Sequence, residues 1–186
     1  AILRVMLEKK LGTFKMLESS YEKSQKFFET IVNEEDIRAS GKDYGLVTFN
    51  ISDMQPVEKM MDEIDEGKLV DYIIASATFP IFPPKIIDDK KYIDGGVYDN
   101  MPINLLVKNG YDKMLVIRTN VESKQPKRKV DGNPDLFFIA PKEDLGPAMA
   151  FSSSRIHAYM QTGYDDAKEL MDKGLREFLL ARKRTE

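Results

Sequence analysis

The sequence has no cysteine and a single histidine among its 186 residues. Without cysteine there is no disulfide, no thiolate zinc site and no cysteine nucleophile. The lack of disulfides fits a cytoplasmic protein. Long apolar runs are also missing: none approaches the roughly 20 residues of a transmembrane helix. The opening AILRVMLEKK has neither the n-region nor the cleavage site of a signal peptide. It lacks an initiator Met and enters directly on a helical pattern, so the chain is expected to begin inside a longer polypeptide. A large excess of either charge is missing too: 28 Lys and Arg against 31 Asp and Glu leave −3, whereas a nucleic-acid-binding domain is usually basic. No internal repeat and no low-complexity tract occurs. Nor do the 11 glycines ever frame a serine as Gly-x-Ser-x-Gly, the pattern that sets a nucleophile on a strand-to-helix elbow.

What is present describes a soluble globular chain, 42% apolar and 32% charged, long enough for one domain with a sizeable core. Residues 2–32 show helical spacing with a break at Gly12, and EEDIRAS before Gly41 reads as a loop. GLVTFNI (45–51) is β-rich and apolar, a buried strand. Ser52 and Asp53 offer caps for a short segment containing Pro56. A helix is predicted over about 68–77 with Leu69, Val70, Tyr72, Ile73 and Ile74 inward. It is ended by Pro80, Pro83 and Pro84, since proline cannot continue a helix. KIID and KYID, joined at Asp88-Asp89-Lys90, read as a hairpin. A helix over about 101–109 has Pro102 in its first turn and a C-terminal stop at Asn109-Gly110. MLVIRTN (114–120) is a second buried strand, the polar stretch after it a loop, and LFFIAP (136–141) a third strand. Residues 155–183 are largely helical, with a basic end that suits the helix dipole. Strands separated by helices make an α/β domain with a largely parallel sheet.

Chemistry concentrates in KKYIDGGVYDNMPINLL (90–106). Asp-Gly is a common turn pair, so Asp94 could be an ordinary turn residue. It also ends an apolar strand, where α/β proteins place their sites. Gly95 and Gly96 clear side chains from around its carboxylate. Asp99 and Asn100 precede the Pro102 helix, and one of them is expected to cap it. Asp94 and Asp99 supply too few oxygens for a hard cation. Phe79, Ile81 and Phe82, set among prolines, are core by default; beside Asp94 they would also suit the apolar lining of a substrate site. Ser76 reads as a small helix-packing residue, Ser152, Ser153 and Ser154 as a cap or loop, and His157 as a surface residue. The basic loop of Lys124, Lys127, Arg128 and Lys129 reads as solvated surface that also offers anionic headgroups a contact.

The stretch ASATFPIFPPKIIDDKKYIDGGVYDNMPINLLVKNGYDKMLVIR resembles the second signature region of the patatin-like phospholipases. The resemblance is dense over 75–118 and looser over about 34–173, and residues 1–33 add little. It divides the chain into a helical lead-in (1–33), a matching region (34–173) and a C-terminal helix end (174–186). It implies a three-layer α/β/α, mostly parallel patatin-like fold. It also implies a Ser-Asp dyad hydrolysing lipid or acyl esters without metal or organic cofactor. Within it Asp94 is the catalytic acid, Gly95 and Gly96 its supporting backbone, and Asn100 and Pro102 fix the helix that follows. The family's Gly-x-Ser-x-Gly is absent, so the N-terminal strands and the nucleophile elbow are expected upstream of Ala1 and the 186 residues alone are expected to be inactive. Without that segment GLVTFNI or MLVIRTN would expose an edge and an apolar face, to be covered by the missing segment or by another copy. Two rivals stand beside this reading. One is a non-catalytic α/β binding or regulatory module that kept the framework. The other is a nucleotide or sugar-phosphate binder, for which Gly95-Gly96 would have to cradle phosphate.

Overall fold

The computed structural model describes residues 21–23, 25–119, 129–146 and 152–181. The chain divides into two units, one up to Leu105 and one from Leu106 onward.

In the first unit, helix α1 is described at 21–23 and 25–31. EEDIRAS is not the expected loop: Glu34–Ala39 forms helix α2. The reason is Asn33, whose side-chain oxygen accepts from Glu35 N at 3.0 Å and Asp36 N at 3.4 Å. Three acidic residues then occupy the first turn and Arg38 the last, matching both poles of the dipole.

Helix α2 also organises the next helix, α3 (Leu69–Ser76). Lys68 precedes α3 without a side-chain cap; Glu34 supplies one from a distance, accepting from Gly67 N and Leu69 N, each at 3.0 Å. Arg38 holds Glu34 through Nε at 2.8 Å and donates to the carbonyls of Met61 (3.1 Å) and Ile64 (2.8 Å). Both side chains are largely buried, so their hydrogen bonds are weakly screened. Glu34→Ala is expected to cost about 2 kcal/mol by urea unfolding, because it uncaps α3 and leaves a guanidinium short of its anion. Glu34→Gln, which keeps an acceptor, should recover part of that.

Strand β1 (Gly45–Asn50) turns back into β2 (Gln55–Met60), with Gly45 opposite Met60 and Asn50 opposite Gln55. The segment containing Pro56 is therefore a strand, not the short capped segment expected. Asn50 closes the turn, its oxygen accepting from Ser52 N at 2.9 Å and Asp53 N at 3.1 Å. Pro56 is tolerated because β2 is an edge strand. The hairpin of β3 (Lys85–Ile87) and β4 (Lys90–Asp94) is present as expected. Its two turn residues, Asp88 and Asp89, have φ of 49° and 60°, the positive pair that matches strand twist in a two-residue hairpin.

The four strands run in the order β2-β1-β4-β3, and every pairing is antiparallel. The α/β class stands, but the expectation of a mostly parallel sheet fails among the described residues. The turns joining β1 to β2 and β3 to β4 are too short for the crossover that parallel neighbours need. β1 is covered on both edges rather than bare. Helix α3 lies over the face that carries Leu46 and Tyr92, and with Ile64, Leu69, Tyr72, Ala75 and Ile87 they form the buried core. The Tyr72 and Tyr92 rings meet edge to face at 5.7 Å. Burial and the contact with Tyr92 push the Tyr72 hydroxyl up to about 12.

Helix α4 (Ile103–Lys108) contains the division between the units. It ends where expected, at Gly110 with φ +84°, and Tyr111 N returns to Leu106 O at 3.1 Å. In the second unit β5 (Lys113–Ile117) and β6 (Asp135–Ile139) pair in parallel. β5 was expected to be buried, yet Leu115 is 38% and Ile117 70% exposed; β6 is its neighbour on one edge only among the described residues. Ser152 caps helix α5 (Ser153–Leu170), accepting from Arg155 N. The helical run breaks at Gly174, φ 106°, before α6 (Arg176–Leu180). Residues 120–128, with Lys124, Lys127 and Arg128 of the basic loop, lie outside the described residues.

Lys142 and Lys173 both bond the Glu169 carboxylate, and these bonds bring it down to about 2. A carboxyl held below its unfolded value of about 4.3 stabilises the fold above that pH and loses the contribution as pH falls through the folded value. NMR titration should place the Glu169 midpoint near 2, and Lys142→Ala should return it toward the ordinary carboxylate range.

Candidate active site

Helix α3 stops because Thr78 turns its hydroxyl back onto Ile74 O at 2.7 Å and proline follows at 80. Thr78 is fully buried, and its hydroxyl also meets Tyr21 OH at 2.6 Å. The Tyr21 ring stacks on Phe82 at 5.2 Å and 9°. Helix α1 thus pins the aromatic and proline-rich turn at both of its ends. Within that turn Phe79 is 47% and Ile81 48% exposed. They are not core, because Phe82 N closing on Phe79 O leaves the tip of the turn in solvent.

Thr78 also fixes Asp94, since Asp94 N donates to Thr78 O at 2.8 Å. The Asp94 carboxylate is half-buried at the end of β4. Its Oδ1 accepts from Gly96 N at 2.7 Å as the chain enters a 3₁₀ turn at Gly95–Val97. Among the described residues it has no cationic partner, which leaves a carboxylate oxygen for another donor. Val97, two residues beyond Gly95, is 52% exposed.

The two glycines do different work. A Cβ on Gly95 would fall 2.2 Å from Val47 O, so this turn lies directly on the β1 backbone. A Cβ on Gly96 would fall 2.2 Å from Asn100 Oδ1; Asn100 folds back over the turn. Asp99, 5% exposed, does not supply the expected cap: its Oδ1 accepts from Met101 N at 2.9 Å, closing a turn ahead of the helix that begins at Ile103. Pro102 O accepts from Leu105 N at 3.2 Å, opening the first turn.

The model of one protein family, described as patatin-like phospholipase, matches residues 3–107. The chain belongs to the patatin-like phospholipase family. That is a family of lipid acyl hydrolases. The match takes in the described part of α1 and every element from α2 to most of α4; the resemblance read from the residues began at about 34 and was densest over 75–118. No curated protein matches the chain.

Two other candidate residues of this patatin-like chain are engaged in local contacts. Ser76 Oγ donates to Val47 O at 2.8 Å, tying α3 to β1 rather than merely packing. His157 is exposed on α5, its Nδ1 2.7 Å from Ser153 O. Among the described residues no group of three or more His, Cys, Asp or Glu could hold a metal ion, and no helix is long and apolar enough to cross a membrane. Sequence reasoning missed Tyr21 and Thr78. Their signal was faint: a Thr directly after an Ala-Ser-Ala helix end, and an aromatic 57 residues earlier in the chain.

Proposed function

We propose that Asp94 is the general base of a Ser-Asp acyl hydrolase acting on lipid esters, and that the serine lies in polypeptide outside these 186 residues. The observation that carries this is the half-buried Asp94 carboxylate. One of its oxygens is held by Gly96 N–H, and among the described residues no cation neutralises it. A serine hydroxyl is a weak nucleophile until a base within hydrogen-bond reach takes its proton. Asp94 receives that proton as serine Oγ attacks the ester carbonyl carbon. The tetrahedral intermediate collapses, and the leaving alkoxide takes the proton from Asp94. Water then attacks the acyl-serine, again giving its proton to Asp94, and serine regains it as the fatty acid departs. Phe79, Ile81, Phe82 and Val97 offer the acyl chain an apolar surface beside the acid.

The absence of Gly-x-Ser-x-Gly from the sequence supports placing the nucleophile elsewhere. The test is turnover of an acyl ester by the 186-residue chain and by the same chain continuous with a segment carrying that motif. The first should be silent and the second active. Turnover by the 186 residues that is lost in Asp94→Asn would refute the placement of the serine. Silence of both would favour the non-catalytic module.

A further inference from the structure

Across β1 and β4, Thr48 stands opposite Asp94. Ile51 N donates to Lys91 O at 2.9 Å, so the ladder is hydrogen-bonded at 51 and 91. Alternation then puts Asn50 with Tyr92, and Thr48 with Asp94, at non-hydrogen-bonded positions. Such pairs bring two side chains closest together on one face of a sheet. The Asp94 N–H is accordingly turned away from β1 and bonds Thr78 O.

Thr48 is 0% exposed, and among the described residues its Oγ1 has no hydrogen-bond partner. A buried hydroxyl left unpaired forfeits what it had in water; valine would fill the same space without that loss. The neighbouring hydroxyls are committed, Ser76 to Val47 O and Thr78 to Ile74 O. Asp94 has the complementary vacancy, since Gly96 N–H occupies Oδ1 alone.

We propose that Thr48 is a positioning residue for Asp94, its hydroxyl donating to the second carboxylate oxygen. Held by Gly96 N–H on one oxygen and Thr48 O–H on the other, the carboxylate plane is fixed and a lone pair stays directed at the incoming serine hydroxyl. The inference rests on the reading of Asp94 as base, but its test does not need turnover.

The test is a double-mutant cycle in the 186-residue chain, with Thr48→Val, Asp94→Ala and the pair, followed by urea unfolding. Thr48→Val should raise the unfolding constant about tenfold when Asp94 is present, the worth of a hydrogen bond to a charged group. It should change that constant less than about twofold in the Asp94→Ala background. Thr48→Ser should keep the coupling. Equal effects in both backgrounds, or stabilisation by Thr48→Val with Asp94 present, overturn the proposal. If Thr48→Val does not fold, the unsubstituted chain still decides: a slowly exchanging Thr48 hydroxyl proton that disappears in Asp94→Ala supports the bond, and one unchanged by that substitution rejects it. Coupling without Asp94-dependent hydrolysis by the complete polypeptide would retain the Thr48–Asp94 bond and remove the base.

Discussion

Asp94→Asn in the complete polypeptide is expected to lower kcat about a thousandfold, within the range that a positioned general base contributes, and to leave KM within about threefold. The substitution conserves shape. An amide oxygen still accepts from Gly96 N, and the backbone bond from Asp94 N to Thr78 O is untouched. The 3₁₀ turn, the position of Gly95 on Val47 and the start of α4 should therefore survive. What is lost is basicity: an amide cannot take the serine proton as the bond to carbon forms. An effect confined to kcat is the signature of an interaction made in the transition state, whereas a rise in KM alone would mean that Asp94 only helps to bind substrate. Loss of unfolding cooperativity in Asp94→Asn would assign the residue to the turn instead. Steady-state rates on a soluble acyl ester, read beside urea unfolding of the same samples, separate the three. Retention of more than about a tenth of kcat would remove Asp94 from the base role.

The parts legible in the sequence were those written in local chemistry. Asp88-Asp89 between two short apolar runs specified a hairpin, and prolines 80, 83 and 84 ended α3 close to where it stops, at Ser76. Asp94 at a strand end followed from the same local reading. Strand direction was not legible. GLVTFN pairs with two other strands, and whether these run parallel depends on how the chain returns, which apolar composition does not encode. α2 was hidden for another reason: EEDIRA is too short to be stable alone. It is held by the bonds of Glu34 to residues 67 and 69 and of Arg38 to residues 61 and 64. Phe79 and Ile81 read as core because apolar residues usually are, but the turn built by Thr78 and Tyr21 presents them to solvent. Asp99 and Asn100 were equivalent as caps by type, yet Asp99 closes a turn onto Met101 N ahead of the helix and Asn100 lies against Gly96.

Gly95→Ala is expected to destabilise the fold by about 3 kcal/mol or more, at the upper end of what overpacking does. The backbone angles at Gly95 are not the cause, since its φ is not among the positive ones. The cause is space. The new Cβ would meet Val47 O at 2.2 Å, Val47 C at 2.5 Å and Val47 Cγ1 at 2.8 Å. Two of those are backbone atoms of β1, a strand clamped between β2 and β4. Gly95 cannot retreat easily either, because its carbonyl accepts from Tyr98 N and Asp99 N, both at 2.9 Å. Relief has to come from lifting the whole turn, and that carries Asp94 and its bond to Gly96 N along with it. Gly41 provides the control: its φ is +66° with nothing within 4 Å of a Cβ, so Gly41→Ala should cost about 1 kcal/mol of backbone strain alone. At Gly96 a Cβ would meet side-chain atoms only, the far end of Asn100 at 2.2 Å and Asp94 Oδ1 at 3.1 Å, which can give more readily than backbone, so Gly96→Ala should fall well short of Gly95→Ala. Unfolding midpoints for the three variants test the order. A Gly95→Ala cost no larger than that of Gly41→Ala would mean that β1 yields, and that Asp94 is not held by contact between the Gly95 turn and Val47.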